Sequence, residues 1–383
     1  EAENLLKDLE TAGVEAGMFP WWGSVPYRET PSASPVFGRR SHVLAGLLSG
    51  ERGIVVAPLR AALTPLPPVH DFQSRIQKIT LHEELDPLQL GAMLEELGYL
   101  RVPRVSVPGE YAVRGEVVDL YLPGSESAVR VLFSFDTIEG IRLFDVESQS
   151  SSERLKYVEL YPRKEVVWGD DRVSALRSRL EVLEEFKGTA SGAPDVSRVD
   201  QVCLPLEEGR RLPGEEIYFP LAYESPGLLV DYFGESPAVF FVESERLDAA
   251  EGALAKEYSG LFQTERGRRP IPAPERLLVG LDSLRSVRRR VEFVSLGGES
   301  QDIINLGAVA PRSFFGNVEF LKEELTSLAE SGYQIWVFAD SEVQAGRISH
   351  LLREFDLRVV PEALSTGFSI PDLFFAVIEE REI

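Results

Sequence analysis

The sequence predicts an α/β protein of several domains, with a smaller α+β unit between two stretches in which strands and helices alternate. Its 383 residues are enough for two to four domains. The apolar run Gly53 to Ala57 has no polar alternation, which indicates a strand covered on both faces. The block Ser106 to Arg142 has the strand and turn residues of a β meander, and alternation resumes from about Gln201.

Helix-like patterns precede the meander. The sequence begins within such a pattern, at Glu1 to Leu9, which we interpret as a chain whose true start has been lost to truncation or disorder. A Pro- and Trp-rich connection follows, and then a helix through Leu44 to Leu48. The run Pro87 to Leu97 predicts a helix that Gly98 ends.

The meander is predicted as three strands. Tyr111 to Tyr121 is dense in β-branched and aromatic residues, and Pro123 to Ser127 has the composition of a turn. Val129 to Phe135 and Ile138 to Phe144 are the next two strands. The sheet therefore begins with a hairpin and continues into a further strand.

Side-chain alternation divides the strand Val129 to Phe135 into two faces. The core face is predicted to hold its larger apolar residues, which are Val129, Val131, Phe133 and Phe135. Arg130, Leu132 and Ser134 then point outward. Arg114 lies beside Gly115, where a bulge would change its face, so alternation alone does not assign it.

Strands and helices also alternate after the meander. Helix Arg172 to Phe186 is followed by a Gly/Ser/Pro-rich surface loop, Gly188 to Pro194, and later by strands Ala238 to Val242 and Leu277 to Val279.

The last unit is predicted as a compact α/β domain. We expect a helix at Val318 to Ser331, a strand at Ile335 to Ala339, a helix at Glu342 to Glu354, and strands near Val359 and Ala376.

Several motifs resemble one known family. The block Gly109 to Gly115 is followed by a turn, an arginine with aromatic residues, and Phe144 to Gln149, as in the UvrB-like module of bacterial transcription-repair coupling factors (Mfd). Matching motifs extend to both ends, at Phe19 to Trp22, Val25 to Tyr27, Ser34-Pro35, Leu63 to Pro68 and Val377 to Ile383. Residues 106–149 alone are equally similar to UvrB, whereas the two ends favour the coupling factors.

The resemblance implies a domain order. A UvrB-like α/β domain would comprise residues 1–80 and 166–300, interrupted by an inserted α+β UvrA-binding domain at 81–165. A small α/β domain at 310–383 would follow. The whole protein would be an ATP-dependent DNA translocase that displaces stalled RNA polymerase and recruits UvrA, the damage-recognition ATPase of nucleotide excision repair.

The resemblance also implies site residues. Arg114 and Arg130 match the family's arginines on the surface that binds UvrA, which would place Arg114 on the Arg130 side of the sheet. The family often has an exposed Phe where this chain has Ser134, so Leu132 would supply the apolar contact. Two arginines on a small sheet could also be a solvated face, or a UvrA face that has decayed.

Composition favours a protein partner. The net charge of −22 opposes binding to DNA phosphates at long range. Basic clusters at residues 266–269 and 285–290 are interpreted as a solvated loop and a charged strand edge, with a contact to DNA or an intramolecular docking contact left open.

Catalysis is not expected in these residues. No Gly-Lys pair occurs, so no phosphate-binding loop is present in this sequence. Where UvrB-like proteins have Asp-Glu-Ser after a strand, this chain has Val242-Glu243-Ser244, and Glu243 would belong to a vestigial nucleotide site. The alternative is a UvrB-like ATP-dependent protein that processes DNA damage, with its nucleotide site truncated.

Other predictions concern cofactors and location. Cys203 and four scattered histidines predict neither an internal disulfide nor a zinc site, and we expect no cofactor. We expect UvrA as partner, an intramolecular C-terminal domain that masks its binding surface, and RNA polymerase and DNA bound by regions outside these residues. No membrane contact is expected, and the location would be cytoplasmic.

Overall fold

The computed structural model describes residues 1–23, 25–28, 31, 34–190, 193–210, 212–294, 303–310, 312–314 and 316–383. They form a mixed α/β fold, as predicted. The chain divides into two compact units, one of residues 19–293 and one of residues 1–18 with 294–383.

The helices and strands have the following bounds. The helices are α1 (Ala2–Thr11), α2 (Pro35–Ser49), α3 (Leu59–Ala62), α4 (Val69–Gln73), α5 (Pro87–Glu96), α6 (Asp170–Glu181), α7 (Arg198–Glu207), α8 (Ser244–Glu265), α9 (Asp282–Arg285), α10 (Val318–Glu330) and α11 (Glu342–Leu351). The strands are β1 (Gly17–Met18), β2 (Val55–Val56), β3 (Gln77–Thr80), β4 (Leu100–Arg101), β5 (Glu110–Arg114), β6 (Val117–Leu120), β7 (Ala128–Ser134), β8 (Thr137–Phe144), β9 (Ser151–Leu155), β10 (Tyr157–Leu160), β11 (Thr189–Ala190), β12 (Ala193–Ser197), β13 (Ala238–Phe241), β14 (Arg289–Glu292), β15 (Gln334–Phe338), β16 (Arg358–Val360), β17 (Phe368–Ile370) and β18 (Phe375–Glu379).

A six-stranded sheet dominates the middle of the larger unit. Its order is β4-β5-β6-β7-β8-β9, with β4 and β5 parallel and the other neighbours antiparallel. Helix α5 packs Leu90 and Leu94 against one face. As the sequence predicted, Pro87 begins this helix and Gly98, with φ +83, follows its end. Its cap is Asp86, which the sequence analysis did not identify.

The meander has one strand more than predicted. The segment Tyr111 to Tyr121 is not a single strand, because it reverses between β5 and β6. Arg114 pairs with Val117, which leaves Gly115 and Glu116 as a two-residue turn, and Gly115 has φ +61. Glycine adopts this left-handed conformation at little cost, so one glycine within a strand-like run is enough for a hairpin.

The prediction that Phe135 belongs to the core is wrong. Val129, Val131 and Phe133 are buried, but Phe135 is 83% exposed with φ +56. Ser134 pairs with Thr137, so Phe135 is the first residue of the turn between β7 and β8. Alternation holds only within a strand and does not extend into the turn.

Two other predicted strands have exposed apolar side chains in or beside them. The run Gly53 to Ala57 contributes only β2, and Ile54 is 44% exposed. Strand β13 pairs in parallel with β14, and its Phe240 is 61% exposed, so it is not a buried strand.

Two further segments differ from their predictions. Leu277 to Val279 forms no strand and follows a short 3-10 helix at Pro274–Arg276, although Leu277 is buried. The predicted loop from Gly188 to Pro194 contains strand residues of β11 and β12, while Ser191 and Gly192 lie outside the described residues.

Two ion pairs hold the segment after β10 to the rest of the larger unit. Arg40 of α2 bonds Glu165, and their side chains are 0% and 1% exposed. Lys164 bonds Glu215, which also accepts a hydrogen bond from the Trp168 indole at 2.7 Å. Residues 164–168, just after β10, are therefore held at several points.

The smaller unit contains a four-stranded sheet of order β16-β15-β18-β17, with β17 antiparallel to β18. Leu321 of α10 and Ile348 of α11 share a core with Val337 of β15. Helix α1 also belongs here, whereas the sequence placed residues 1–18 in the interrupted domain. The predicted domain ranges 1–80, 81–165, 166–300 and 310–383 stay a prediction. No described helix is long and apolar enough to cross a membrane.

Candidate partner-binding face

The six-stranded sheet has one apolar face and one charged face. Val118, Val131 and Ile141 lie on the apolar face and are at most 1% exposed. The opposite face, here called the arginine face, consists of Arg114, Asp119, Arg130, Leu132, Arg142 and Arg154. The strand register places these residues on one side, because Asp119 pairs with Arg130, Arg130 with Arg142, and Arg142 with Arg154.

Arg114 lies on the same side as Arg130. It pairs with Val117, which in turn pairs with Leu132. The resemblance alone assigned it to this side, and the turn at Gly115 accounts for the placement. Leu132 is half-buried, and Ser134 is exposed at the end of β7.

Asp119 organises the two arginines. Its side chain is 2% exposed and accepts hydrogen bonds from both of them. Arg130 donates through Nε at 2.6 Å and through Nη2 at 3.0 Å, and Arg114 donates through Nη2. A buried carboxylate with two cationic donors is well compensated, so the pair of guanidinium groups is preorganised.

Arg130 is fixed further by its surroundings. Its Nη2 donates to Gln149 Oε1 at 3.2 Å, and its guanidinium carbon lies 4.5 Å from the centre of the Phe144 ring. The hydrogen bonds to Asp119 raise the pKa of Arg130 above its usual value. The side chain is 18% exposed, against 47% for Arg114.

Both guanidinium groups keep donors for a partner. Among the described residues, the Nη1 of Arg130 and the Nε and Nη1 of Arg114 make no hydrogen bond to protein. These donors can bind carboxylates or carbonyls that a partner brings.

The sequence did not identify Arg142, Arg154 or Asp119 as part of this face. Counting back from the turn at Phe135 would place Ile141 opposite Arg130, but the register shifts between Leu132 and Phe133 and places Arg142 there. Such a bulge adds one residue to one strand and has no clear sequence signal here. The acidic partner Asp119 could have been found from the outward arginines, which need one.

Phe135 adds an apolar group beside the arginine face. It follows Ser134 directly and is 83% exposed, although large aromatic side chains are usually covered. This chain therefore exposes an aromatic residue one position after Ser134.

Glu243 lies apart from this face. It occupies the N-cap position of α8 with φ +54 but makes no side-chain capping bond, and Arg246 Nη1 donates to its carboxylate at 2.9 Å. In the part of the chain that the structure describes, no group of three or more His, Cys, Asp or Glu residues could hold a metal ion. The assignment of Glu243 to a vestigial nucleotide site stays a prediction.

Three arginines of the basic clusters pair with acidic residues. Arg285 donates to both carboxylate oxygens of Asp248, at 2.7 and 2.9 Å, and Arg268 donates to Glu265 at 3.2 Å. Arg290 lies 3.8 Å from Glu292 on the exposed strand β14.

The segment that contains the six-stranded sheet and α5 also matches a known domain family. Residues 78–166 match the family model described as the UvrB interaction domain. The matched range begins in β3 and ends just after β10, so it includes the whole six-stranded sheet.

Comparison with curated proteins extends this likeness beyond the sheet. The chain is 23% identical over 389 residues to the transcription-repair-coupling factor of Borreliella burgdorferi, covering 100% of this chain and 32% of that protein. It is 26% identical over 385 residues to that of Bacillus subtilis, covering 93% and 33%. The protein of the same name from Staphylococcus epidermidis is 25% identical over 385 residues.

These similarities confirm the resemblance that the motifs indicated, over the full length of the chain. The chain spans about a third of the length of the curated relatives it matches.

Proposed function

We propose that this chain is the part of a transcription-repair coupling factor that recruits UvrA to stalled RNA polymerase in nucleotide excision repair. The observation that carries the proposal is the arginine face, where Arg114 and Arg130 are held by Asp119 and keep unused donors. Its position inside the range that matches the UvrB interaction domain supports UvrA as the partner.

Arg114 and Arg130 would bind acceptor groups of UvrA. Directed donors that are already oriented lose little side-chain entropy on binding, and arginine is enriched among residues that dominate interface energies. Leu132 and Ser134 would lie within the contact, and Phe135 would supply its aromatic group.

Chemistry and other contacts would belong elsewhere in the complete protein. We propose that these residues hydrolyse no ATP, and that DNA translocation and binding to RNA polymerase require regions outside them. The masking of the arginine face by a C-terminal domain is part of the same proposal. A chain without that domain would bind UvrA without prior activation.

The proposal is tested by calorimetric titration of the chain with UvrA. We expect Arg114→Ala and Arg130→Ala each to weaken binding by about 2 kcal/mol or more, which is roughly thirtyfold. Arg114→Ala is the cleaner variant, because Arg130→Ala removes two hydrogen bonds from the buried Asp119.

Arg101→Ala is the matched control. Arg101 is an exposed arginine of the same sheet, and its pairing with Tyr111 places it on the other face. Circular dichroism must show that each variant is folded. If the folded wild-type chain has no affinity for UvrA, the proposal fails; if it binds and both arginine variants match it, the site is misplaced.

A further inference from the structure

The arginine face contains more positive charge than its own acid can balance. Asp119, Arg130, Arg142 and Arg154 form one cross-strand row over β6, β7, β8 and β9. This row has three arginines and one carboxylate, and the carboxylate already binds Arg130 and Arg114.

Arg142 has no partner of its own in the part of the chain that the structure describes. Among the described residues, no hydrogen bond or ion pair to Arg142 or Arg154 is formed, although Arg142 is half-buried. Guanidinium groups that are partly removed from water normally have an acceptor. The arrangement therefore lacks an acceptor over Arg142.

The position of Arg142 is also unfavourable for the sheet. Residues directly opposite on antiparallel strands have Cβ atoms about 5 Å apart, and like charges there are destabilising. Arg142 has Arg130 opposite it on one side and Arg154 on the other. Residues that break a local stability rule without compensation within the fold are often functional.

We infer that Arg142 is a further partner-binding residue, which takes a carboxylate from an acidic surface of the partner. Arg154, exposed next to it, extends the same positive row. This inference rests on the proposed function, because the partner it describes is the one recruited by Arg114 and Arg130.

The geometry specifies the partner's surface. Its carboxylates would follow the row across the strands, at intervals of about 4.8 Å. The partner would also have an apolar pocket for Phe135, displaced from the carboxylates along the direction of β7. Ser134, the residue before Phe135, is four residues beyond Arg130, which is roughly 14 Å at strand spacing. The carboxylates of such a partner would neutralise the excess positive charge of the arginine face, and its apolar pocket would cover Phe135.

The test compares Arg142→Gln and Arg142→Lys with the wild-type chain in titrations with UvrA at several salt concentrations. We expect Arg142→Gln to weaken binding at least about tenfold and to reduce its salt dependence. Arg142→Lys should retain the salt dependence but only part of the affinity, because an ammonium group cannot bind a carboxylate through two donors of a fixed fork.

Thermal unfolding separates a binding role from a structural one. Because Arg142 faces Arg130 and Arg154, Arg142→Gln should leave the unfolding midpoint unchanged or raise it. If the midpoint falls in both variants along with the affinity, Arg142 is structural and the inference is overturned. Arg101→Gln is the control and should change neither quantity.

The two proposals fail in different ways. If the wild-type chain binds UvrA, Arg114→Ala weakens it and Arg142→Gln does not, only the inference about Arg142 is overturned. If the folded wild-type chain does not bind UvrA, both the proposed function and this inference are overturned.

Discussion

His42 joins helix α2 to the residue after β10 and to the turn between β6 and β7 through a short chain of hydrogen bonds. Arg52 Nη2 donates to His42 Nε2 at 3.0 Å, so His42 must be neutral with its proton on Nδ1. That nitrogen donates to the Tyr161 hydroxyl at 2.8 Å, which donates to the carbonyl of Pro123 at 2.9 Å. One neutral imidazole thus connects two parts of the larger unit.

This arrangement predicts a loss of stability in mild acid. Burial, and then the charge of Arg52, lower the pKa of His42 to about 4, against about 6.5 in an unfolded chain. Between about pH 6.5 and 4, His42 therefore binds a proton in the unfolded state but stays neutral in the folded state. The contribution of His42 is fully present above about pH 6.5 and is lost as the pH falls towards 4, up to roughly 3 kcal/mol.

Urea unfolding at pH 7.5, 6 and 5 measures this effect. Because carboxylates also titrate in acid, the informative quantity is the difference between wild type and His42→Asn. The wild-type chain should lose more stability than the variant between pH 6.5 and 5. Parallel pH profiles for the two chains would show that His42 is not the group responsible.

At the scale of single residues, the sequence predicted which face of the sheet a side chain lies on better than it predicted the residues that this side chain contacts. Alternation assigned Arg130 and the core residues Val131 and Phe133 correctly, because it depends only on strand geometry. It missed Phe135, whose side chain follows the turn, and Arg142, whose position depends on a bulge. Turn and bulge conformations depend on neighbouring strands, which a single segment does not contain.

At the scale of elements, the junction after β10 is set by a buried pair. Arg40 lies on α2, and Glu165 follows strand β10. The Trp22 indole donates to Glu165 at 3.4 Å, and the carbonyl of Pro20 accepts from Arg40 Nη1 at 2.6 Å. The charges are removed from water but have several partners.

Removing one charge of this pair should be costly. Glu165→Gln keeps the shape but leaves Arg40 buried without a counter-ion, which we expect to destabilise the larger unit by about 3–5 kcal/mol. Chemical denaturation followed by tryptophan fluorescence measures the change, since Trp22 lies beside the pair.

A second variant distinguishes an unpaired charge from lost packing. In Arg40→Met with Glu165→Leu, both charges are replaced by apolar groups, and the loss should be smaller than for Glu165→Gln alone. A double variant at least as unstable as the single one would contradict this account.

The backbone of helix α2 also lies very close to the backbone of the turn between β6 and β7. A Cβ at Gly38 of α2 would lie 2.9 Å from Cβ of Pro123, and one at Gly124 would lie 2.9 Å from Cα of Arg39. Glycine at both positions lets the turn between β6 and β7 rest directly on α2. Neither requirement is visible in the sequence, where both glycines resemble ordinary helix and turn residues.

Elements with local signals were predicted well. Helix α5 has its cap at Asp86 and its end before Gly98, and α10 begins after the cap residue Asn317. The expected strand at Leu277 to Val279 is wrong, because Leu277 is buried and the next two residues are half-buried without strand pairing. Hydrophobic runs indicate burial, whereas strand formation also requires a neighbour.

At the scale of the whole molecule, the first helix belongs with the last residues. Asp8 of α1 accepts hydrogen bonds from the backbone and hydroxyl of Ser365, and Thr11 donates to the carbonyl of Ala363 at 2.7 Å. Sequence order suggested a partner nearby in the chain, and nothing local to α1 indicates one more than 350 residues away.

Substitution of Asp8 should therefore affect one unit selectively. Asp8→Ala removes two hydrogen bonds to a carboxylate, so we expect the smaller unit to lose about 1.5–3 kcal/mol. Amide hydrogen exchange should accelerate in β15 and β18 and stay unchanged in β6 and β7.

Lys7→Ala is the control on the same helix. Lys7 is half-exposed and lies 4.0 Å from Asp340, a pair worth little. Faster exchange throughout the larger unit after Asp8→Ala, or no change in either unit, would contradict the assignment of α1.

The distant partner of α1 has a consequence during protein synthesis. Asp8 and Ser365 are 357 residues apart, which at roughly 5–20 residues per second separates their synthesis by roughly 20–70 s. Residues 19–293 are complete well before that time and can form their own core. Docking of α1 is thus a late, non-local step, and the newly made helix must stay available until the last strand has left the ribosome.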